Sequence, residues 1–496
     1  MKKIILLIFT VFMTSYFFMN YFVDGEKNFI LEKYLSTELK QTVKKYIFPY
    51  KLIALQQKEI LRLNELLPEE ILLELNLSTT LKQKIRRYIL PYKFIANQYR
   101  EILRLNELLP KVILAELVFI EKKTDVKIKK KESIKLSNNL ILQKYNLING
   151  FYQGILNTFP GSGYIDFHQN NLLVLSSRGI LAYTKNIDNE LNFKQIENNI
   201  NNFIGIEQFK KEHKYSIKGL LISNNLVFVS YTEEIKEDCW NTSVIFGDIS
   251  YENIKFNKLF SSKECIHSSN NIDGEFQPLQ AGGKIINFDD GHILLSVGEY
   301  RNRFLAQDKK SVNGKIIKIN IFNSDYEVIS MGHRNPQGLY FDKENNFILE
   351  TEHGPYGGDE INLIEVEKIN KDKIQNYGWA IVSGGEHYGG KNDANKQKYK
   401  KYPLYKSHSK YGFIEPLKMF IPSIGIGEII KIRKNRYVVA SLKDASLYFF
   451  ELSNEKKIIN LERVEVFERI RSLLFKDNKI YLFLEDTPSI GVISLN

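Results

Sequence analysis

Six times between residues 151 and 496 the chain repeats one arrangement: an apolar run, a turn built on Asn, Asp or Gly, and an alternating strand. The turns fall at Asn170-Asn171, Asn224-Asn225, Asp290-Gly291, Asn345-Asn346, Lys434-Asn435 and Asp477-Asn478. Runs such as Leu172-Leu173-Val174-Leu175 and Tyr437-Val438-Val439-Ala440 follow them. Asn and Gly supply the positive φ angles that tight hairpins demand. So many hairpins do not fit one sandwich core. Divided six ways, residues 151–496 give about 58 residues per unit, enough for four strands with their loops. The pattern predicts an all-β six-bladed β-propeller.

The preceding residues follow other rules. Lys2 and Lys3 open an uncharged run from Ile4 to Val23, long enough for a membrane-crossing helix. The bulky stretch Tyr16–Val23 offers no small-x-small cleavage site, which favours an anchor at residues 1–23, with a signal segment as the alternative. Lys2 and Lys3 stay cytoplasmic, which sends the rest of the chain to the periplasm or cell exterior on a single pass. Leu39–Leu75 and Leu81–Leu117 then align without gaps, identical at 25 of 37 positions. Each copy carries Tyr-Ile-x-Pro-Tyr-Lys and an amphipathic pattern stopped at Pro68 or Pro110, so residues 24–150 are expected to form a duplicated α-helical stalk. The whole net charge of +11 lies within residues 1–150, and residues 151–496 carry 43 basic and 43 acidic side chains. Charge alone gives no case for nucleic-acid binding. The Lys122–Lys131 run reads as a solvated linker.

Cys239 and Cys265 are the only cysteines, 26 positions apart. Outside the cytoplasm they can form one disulfide, and otherwise they are two buried thiols. No CxxC or nearby histidine pair completes a zinc set.

Four motifs crowd the longest loops. They are Gly332-His333-Arg334-Asn335-Pro336-Gln337-Gly338, then Glu352-His353-Gly354-Pro355 with Gly357-Gly358-Asp359-Glu360-Ile361-Asn362, then Asn376-Tyr377-Gly378-Trp379, and Ile421-Pro422-Ser423-Ile424. Gly-Pro-x-Gly-Gly bares backbone carbonyls in a way that suits a hard cation. The first three motifs, with weaker matches at Gly314–Ile319 and Glu468-Arg469-Ile470-Arg471, make residues 155–495 resemble the pyrroloquinoline-quinone-dependent sugar dehydrogenases, the glucose/sorbosone dehydrogenase family.

The resemblance implies a six-bladed propeller holding pyrroloquinoline quinone and calcium, and oxidising a sugar or alcohol. By that analogy Arg334 and Asn335 contact the quinone, and the carbonyls of Gly354 and Pro355 help to hold calcium. Gln375 stands where some members place a cofactor-binding Lys. Gln280 occupies the position of the family's catalytic base, a His, and Glu299 replaces an Asp of the third unit. An amide accepts no proton near neutral pH, so His267 and His353 are the other candidates for a base. Two functions follow as expectations. One is a membrane-anchored quinoprotein dehydrogenase passing electrons to a respiratory acceptor. The other is an inactive propeller that binds a glycan, lipid or protein.

Overall fold

A computed structural model describes residues 125–147, 162–190, 192–211, 214–370 and 373–495. The span expected at Ile4–Val23 and the repeat of Leu39–Leu117 lie outside the described residues. Among the described residues no helix is long and apolar enough to cross a membrane.

The described chain is mostly antiparallel sheet. Going along the sequence, four-strand meanders start at Gly163–His168, Ile217–Ser223, Gly282–Asp289, Pro336–Asp342, Ile426–Arg433 and Ile470–Lys476. Each of these first strands touches the first strand of the next meander, and the last returns to Gly163–His168. The fold is propeller-like. The first hairpins turn where the sequence signals them, except that the first turns one residue earlier, at Gln169-Asn170, and Asn224, Asn225, Asn346, Asp477 and Asn478 have positive φ in theirs.

The packing explains why the strands read as continuous apolar runs. Leu173 and Leu175 face the second sheet, while Leu172 and Val174 face the last one. Side chains alternate across a strand, so a sheet covered on both faces needs apolar residues at every position. The same division holds along the series. Ile348 packs with Leu294 and Ile316 of the third sheet, whereas Phe347 and Leu349 pack with Val439 of the fifth.

Two segments expected within the helical stalk are strands instead. Val126–Lys135 and Ile141–Leu147 are strands, and the second pairs with Ser489–Ser494 to complete the last meander. The described part of the lysine run, Lys127–Lys131, therefore lies in the sheet instead of linking to it. Val126 and Lys127 also pair with Phe193 and Asn192, which merges the first and last meanders into one ten-stranded sheet. Pairing of the N-terminal strands with the C-terminal ones closes the series. Cys239 and Cys265 are disulfide-bonded. The bridge ties the start of Cys239–Asp248 to the segment before Ile266–His267, which pairs with it.

Candidate active site

Polar side chains gather where the first strands begin. Gln280 lies two residues before Gly282–Asp289, and Arg334 lies two before Pro336–Asp342. The two loops are laced together. The Glu299 N–H donates to the Arg334 carbonyl at 3.0 Å, and the Gly282 N–H donates to Asn335 Oδ1 at 3.2 Å.

Arg334 is 4% exposed. Its Nη1 donates to the carbonyls of His353 at 2.8 Å and Gly354 at 2.6 Å, and its backbone N–H donates to the Glu352 carboxylate. The guanidinium carbon lies 5.4 Å from the Trp379 ring centre and 5.9 Å from that of Tyr388. Gln280 is also buried. In the amide orientation that satisfies its neighbours, its oxygen accepts from Arg334 Nη2 at 2.8 Å and Arg301 Nε at 3.2 Å, while its nitrogen donates to Glu299 Oε1 at 2.7 Å. Glu299 has no exposure, and its Oε2 has no partner. Burial raises its pKa, against the pull of Arg303 and Arg334. Tyr300 and Arg301 have φ of 53° and 67°, a region that costs a non-glycine residue energy and often marks functional sites. That turn brings Arg301 over the Tyr388 ring at 4.9 Å.

The glycine-rich loop folds tightly because side chains do not fit. A Cβ on Gly354 would meet the Gly358 carbonyl oxygen at 2.1 Å. Asp359 clamps the loop, accepting from the N–H groups of Gly354 at 3.0 Å and Gly425 at 2.7 Å. Asn335 Nδ2 reaches His353 Nδ1 at 3.3 Å, and Asn335 Oδ1 accepts from Gln337, whose own Oε1 takes an N–H of Arg471. Burial lowers the His353 pKa.

The structure thus brings Gln280, Arg334, Asn335, His353 and Gly354 together, with Pro355 next in the loop. It does not bring Gln375. That residue forms a two-residue strand with Asn376, parallel to Tyr326–Met331, and its amide closes on the Glu365 backbone at 3.1 and 3.0 Å. Its amide is engaged with the Glu365 backbone there, away from the residues gathered at Arg334. His267 pairs with Cys239 at an exposed edge and is no substitute base. Arg301 and Tyr388 were not singled out from the sequence. The dense Glu299-Tyr-Arg-Asn-Arg run could have drawn attention to Arg301. Tyr388 carries no periodic signal.

The propeller-like scaffold thus carries a buried arginine beside two aromatic rings where its first strands begin. Residues 221–491, more than half of the chain, match the Glucose / Sorbosone dehydrogenase family, and the chain belongs to it. A stretch of 222 residues is 28% identical to an uncharacterized protein of Synechocystis, covering 39% of this chain and 50% of that one. Another, of 180 residues, is 28% identical to the aldose sugar dehydrogenase YliI of Escherichia coli, covering 33% and 44%. The matches therefore span about half the length of these relatives. A crystal structure of glucose dehydrogenase superposes with a TM-score of 0.53 at 21% identity, over 67% of this chain and 96% of that one. The soluble aldose sugar dehydrogenase of Escherichia coli gives 0.52 at 18%, over 67% and 95%. At such identities the likeness concerns the fold.

Proposed function

We propose that this chain is a quinoprotein oxidoreductase acting on a sugar or alcohol hydroxyl, built on a six-bladed propeller. The observation that carries the reading is the buried Arg334 guanidinium, held between Trp379 and Tyr388 and joined by Arg301 at the Gln280 amide. Two guanidinium groups beside aromatic faces suit a flat, polycarboxylate cofactor such as pyrroloquinoline quinone. When bound, that quinone supplies a two-electron acceptor for the substrate's hydride. Arg334, Arg301 and Asn335 would hold it. Gly354 and Pro355 are proposed to offer carbonyls to calcium, and the Gly354 oxygen already accepts from Arg334 Nη1 and has a second lone pair to give.

Gln280 cannot take a proton from the substrate. It does place Glu299 one hydrogen bond away, with an unpartnered oxygen and a pKa that burial raises against the pull of Arg303 and Arg334. Membrane attachment through Ile4–Val23, with the sheets outside the cytoplasm, is part of the same proposal and fits delivery of electrons to a respiratory acceptor. Protease added to spheroplasts should then degrade the propeller.

Titration of the full-length chain with pyrroloquinoline quinone and calcium tests the function. Micromolar binding, followed by spectral reduction when an aldose is added, is the expected result. Absence of binding at that level would replace the dehydrogenase with a binding propeller.

A further inference from the structure

Strand Phe347–Glu352 turns one face toward the third sheet, and side chains two apart share that face. Ile348 fills its place there as core. The next two places on the face hold Glu350 and Glu352, and the register sets Asn362 and Glu360 opposite them on the neighbouring strand. Glu350 is fully buried and Glu352 is 4% exposed. Adjacent buried carboxylates are expensive unless a cation or donors compensate them.

The compensation visible among the described residues is incomplete. Asn362 Nδ2 donates to Glu350 Oε2 at 3.0 Å and to Glu352 Oε1 at 3.2 Å. Glu350 Oε1 has no partner, and neither do Asn362 Oδ1 and His333 Nδ1. His333 is fully buried against the Tyr377 ring, 4.9 Å between centres, and its Nε2 is used by Ser330 Oγ at 2.8 Å. Its Nδ1 faces Glu352 Oε1 at 3.5 Å and Glu350 Oε2 at 3.8 Å, too far for hydrogen bonds.

Those separations match a different geometry. Ligand atoms bound tetrahedrally at about 2.0–2.2 Å from one ion lie about 3.4 Å from each other. One atom from each of His333, Glu350 and Glu352 fits within a mutual distance of 4.8 Å. The Ser330 contact is the kind of outer hydrogen bond that orients a metal-bound imidazole.

We propose that His333, Glu350 and Glu352 bind a divalent first-row transition ion, zinc or manganese, between the third and fourth sheets. One imidazole with two carboxylates favours such an ion over calcium, which prefers an all-oxygen shell. The site is separate from the proposed quinone contacts of Arg334, although the Arg334 N–H donates to the other oxygen of Glu352. The ion would fasten the base of that loop. The proposal does not depend on the dehydrogenase reading.

The test uses full-length protein stripped with a chelator and reloaded with Mn²⁺ or Zn²⁺ alone, without quinone or calcium. After gel filtration, elemental analysis should find one ion per chain that excess Ca²⁺ does not displace, and the melting temperature should rise on loading. Glu350→Gln should weaken retention at least about tenfold. If that variant does not give a native circular-dichroism spectrum, His333→Gln replaces it with the same expectation. Failure of the stripped wild type to retain Mn²⁺ or Zn²⁺, displacement by Ca²⁺, or full retention by the folded variant would each overturn the proposal.

Discussion

Gln280 and Arg334 hold corresponding places, each two residues ahead of the first strand of its sheet, and they hydrogen-bond to each other at 2.8 Å. The fourth sheet places a guanidinium there, with two carbonyls and two rings around it. The third sheet places an amide that donates to a buried acid. An amide preserves the hydrogen-bond pattern of the pocket while giving up its proton-accepting capacity. On the proposed reading, the contrast divides anion binding and proton transfer between two sheets, so that one can change while the other stays. Each can be tested separately.

The largest effect is expected on the fourth sheet. Arg334→Ala removes charge-assisted contacts worth about 1.5–3 kcal/mol each, so quinone affinity should fall about a hundredfold in titration. A loss below about threefold would place the binding half elsewhere. On the third sheet, Gln280→His should raise sugar oxidation at least about tenfold, the lower part of what a positioned base contributes. The imidazole would have Glu299 beside it to orient the ring and raise its basicity. Unchanged turnover with quinone binding intact would mean that residue 280 is not the missing element.

Much of this division was legible in the sequence because it rests on local rules. Tight turns need positive φ, and Asn224-Asn225 and Asp477-Asn478 advertise it. The motifs at Arg334 and Gly354 are contiguous, so their meeting needed no long-range knowledge. Other features depend on pairing between distant segments. Val126–Lys135 hid as a strand because Lys127 and Lys129–Lys131 mask its alternation, and its partners include Ile141–Leu147 and Asn192–Asn198. Gln375 sits next to Asn-Tyr-Gly-Trp in sequence, yet pairing with Ser330 commits its amide to Glu365. The contact of Arg301 with Tyr388 joins two irregular loops, for which no periodicity exists.

A smaller effect concerns what supports the third sheet's loop. Glu275 accepts from Arg303 Nη2 at 2.8 Å and pairs with Lys398. Burial pushes its pKa up, but Lys398 and Arg303 prevail and hold it down at about 2, against an ordinary value of 4.5. A depressed carboxyl stabilises the fold above its unfolded pKa, and that stabilisation is lost as pH falls toward its folded pKa. Glu275→Gln should therefore lower stability at pH 7 by about 1–2 kcal/mol, after discounting the shift for solvent screening. The gap to wild type should close as pH drops from about 4.5 toward 2, as read by denaturant melts. A gap that widened toward acid would mean the ion pairs do not stabilise the loop.

The smallest effect lies where the two sheets' arginines share one ring. Tyr388 is half-exposed, with the Arg301 guanidinium 4.9 Å and the Arg334 guanidinium 5.9 Å from its centre. Its hydroxyl accepts from Arg334 Nη2 at 3.5 Å, too long to contribute much. What remains is the attraction of the cations for the ring face, about 0.5–1 kcal/mol at an exposed site. Tyr388→Phe keeps that face and should leave quinone affinity nearly unchanged, whereas Tyr388→Ala should reduce it about two- to fivefold. Because the ring touches both arginines, the alanine variant should lose less when Arg334 is already alanine, a coupling that a double-mutant cycle measures. Additive losses would show that Tyr388 acts through Arg301 alone, and the division between the sheets would then be sharper than the shared ring suggests.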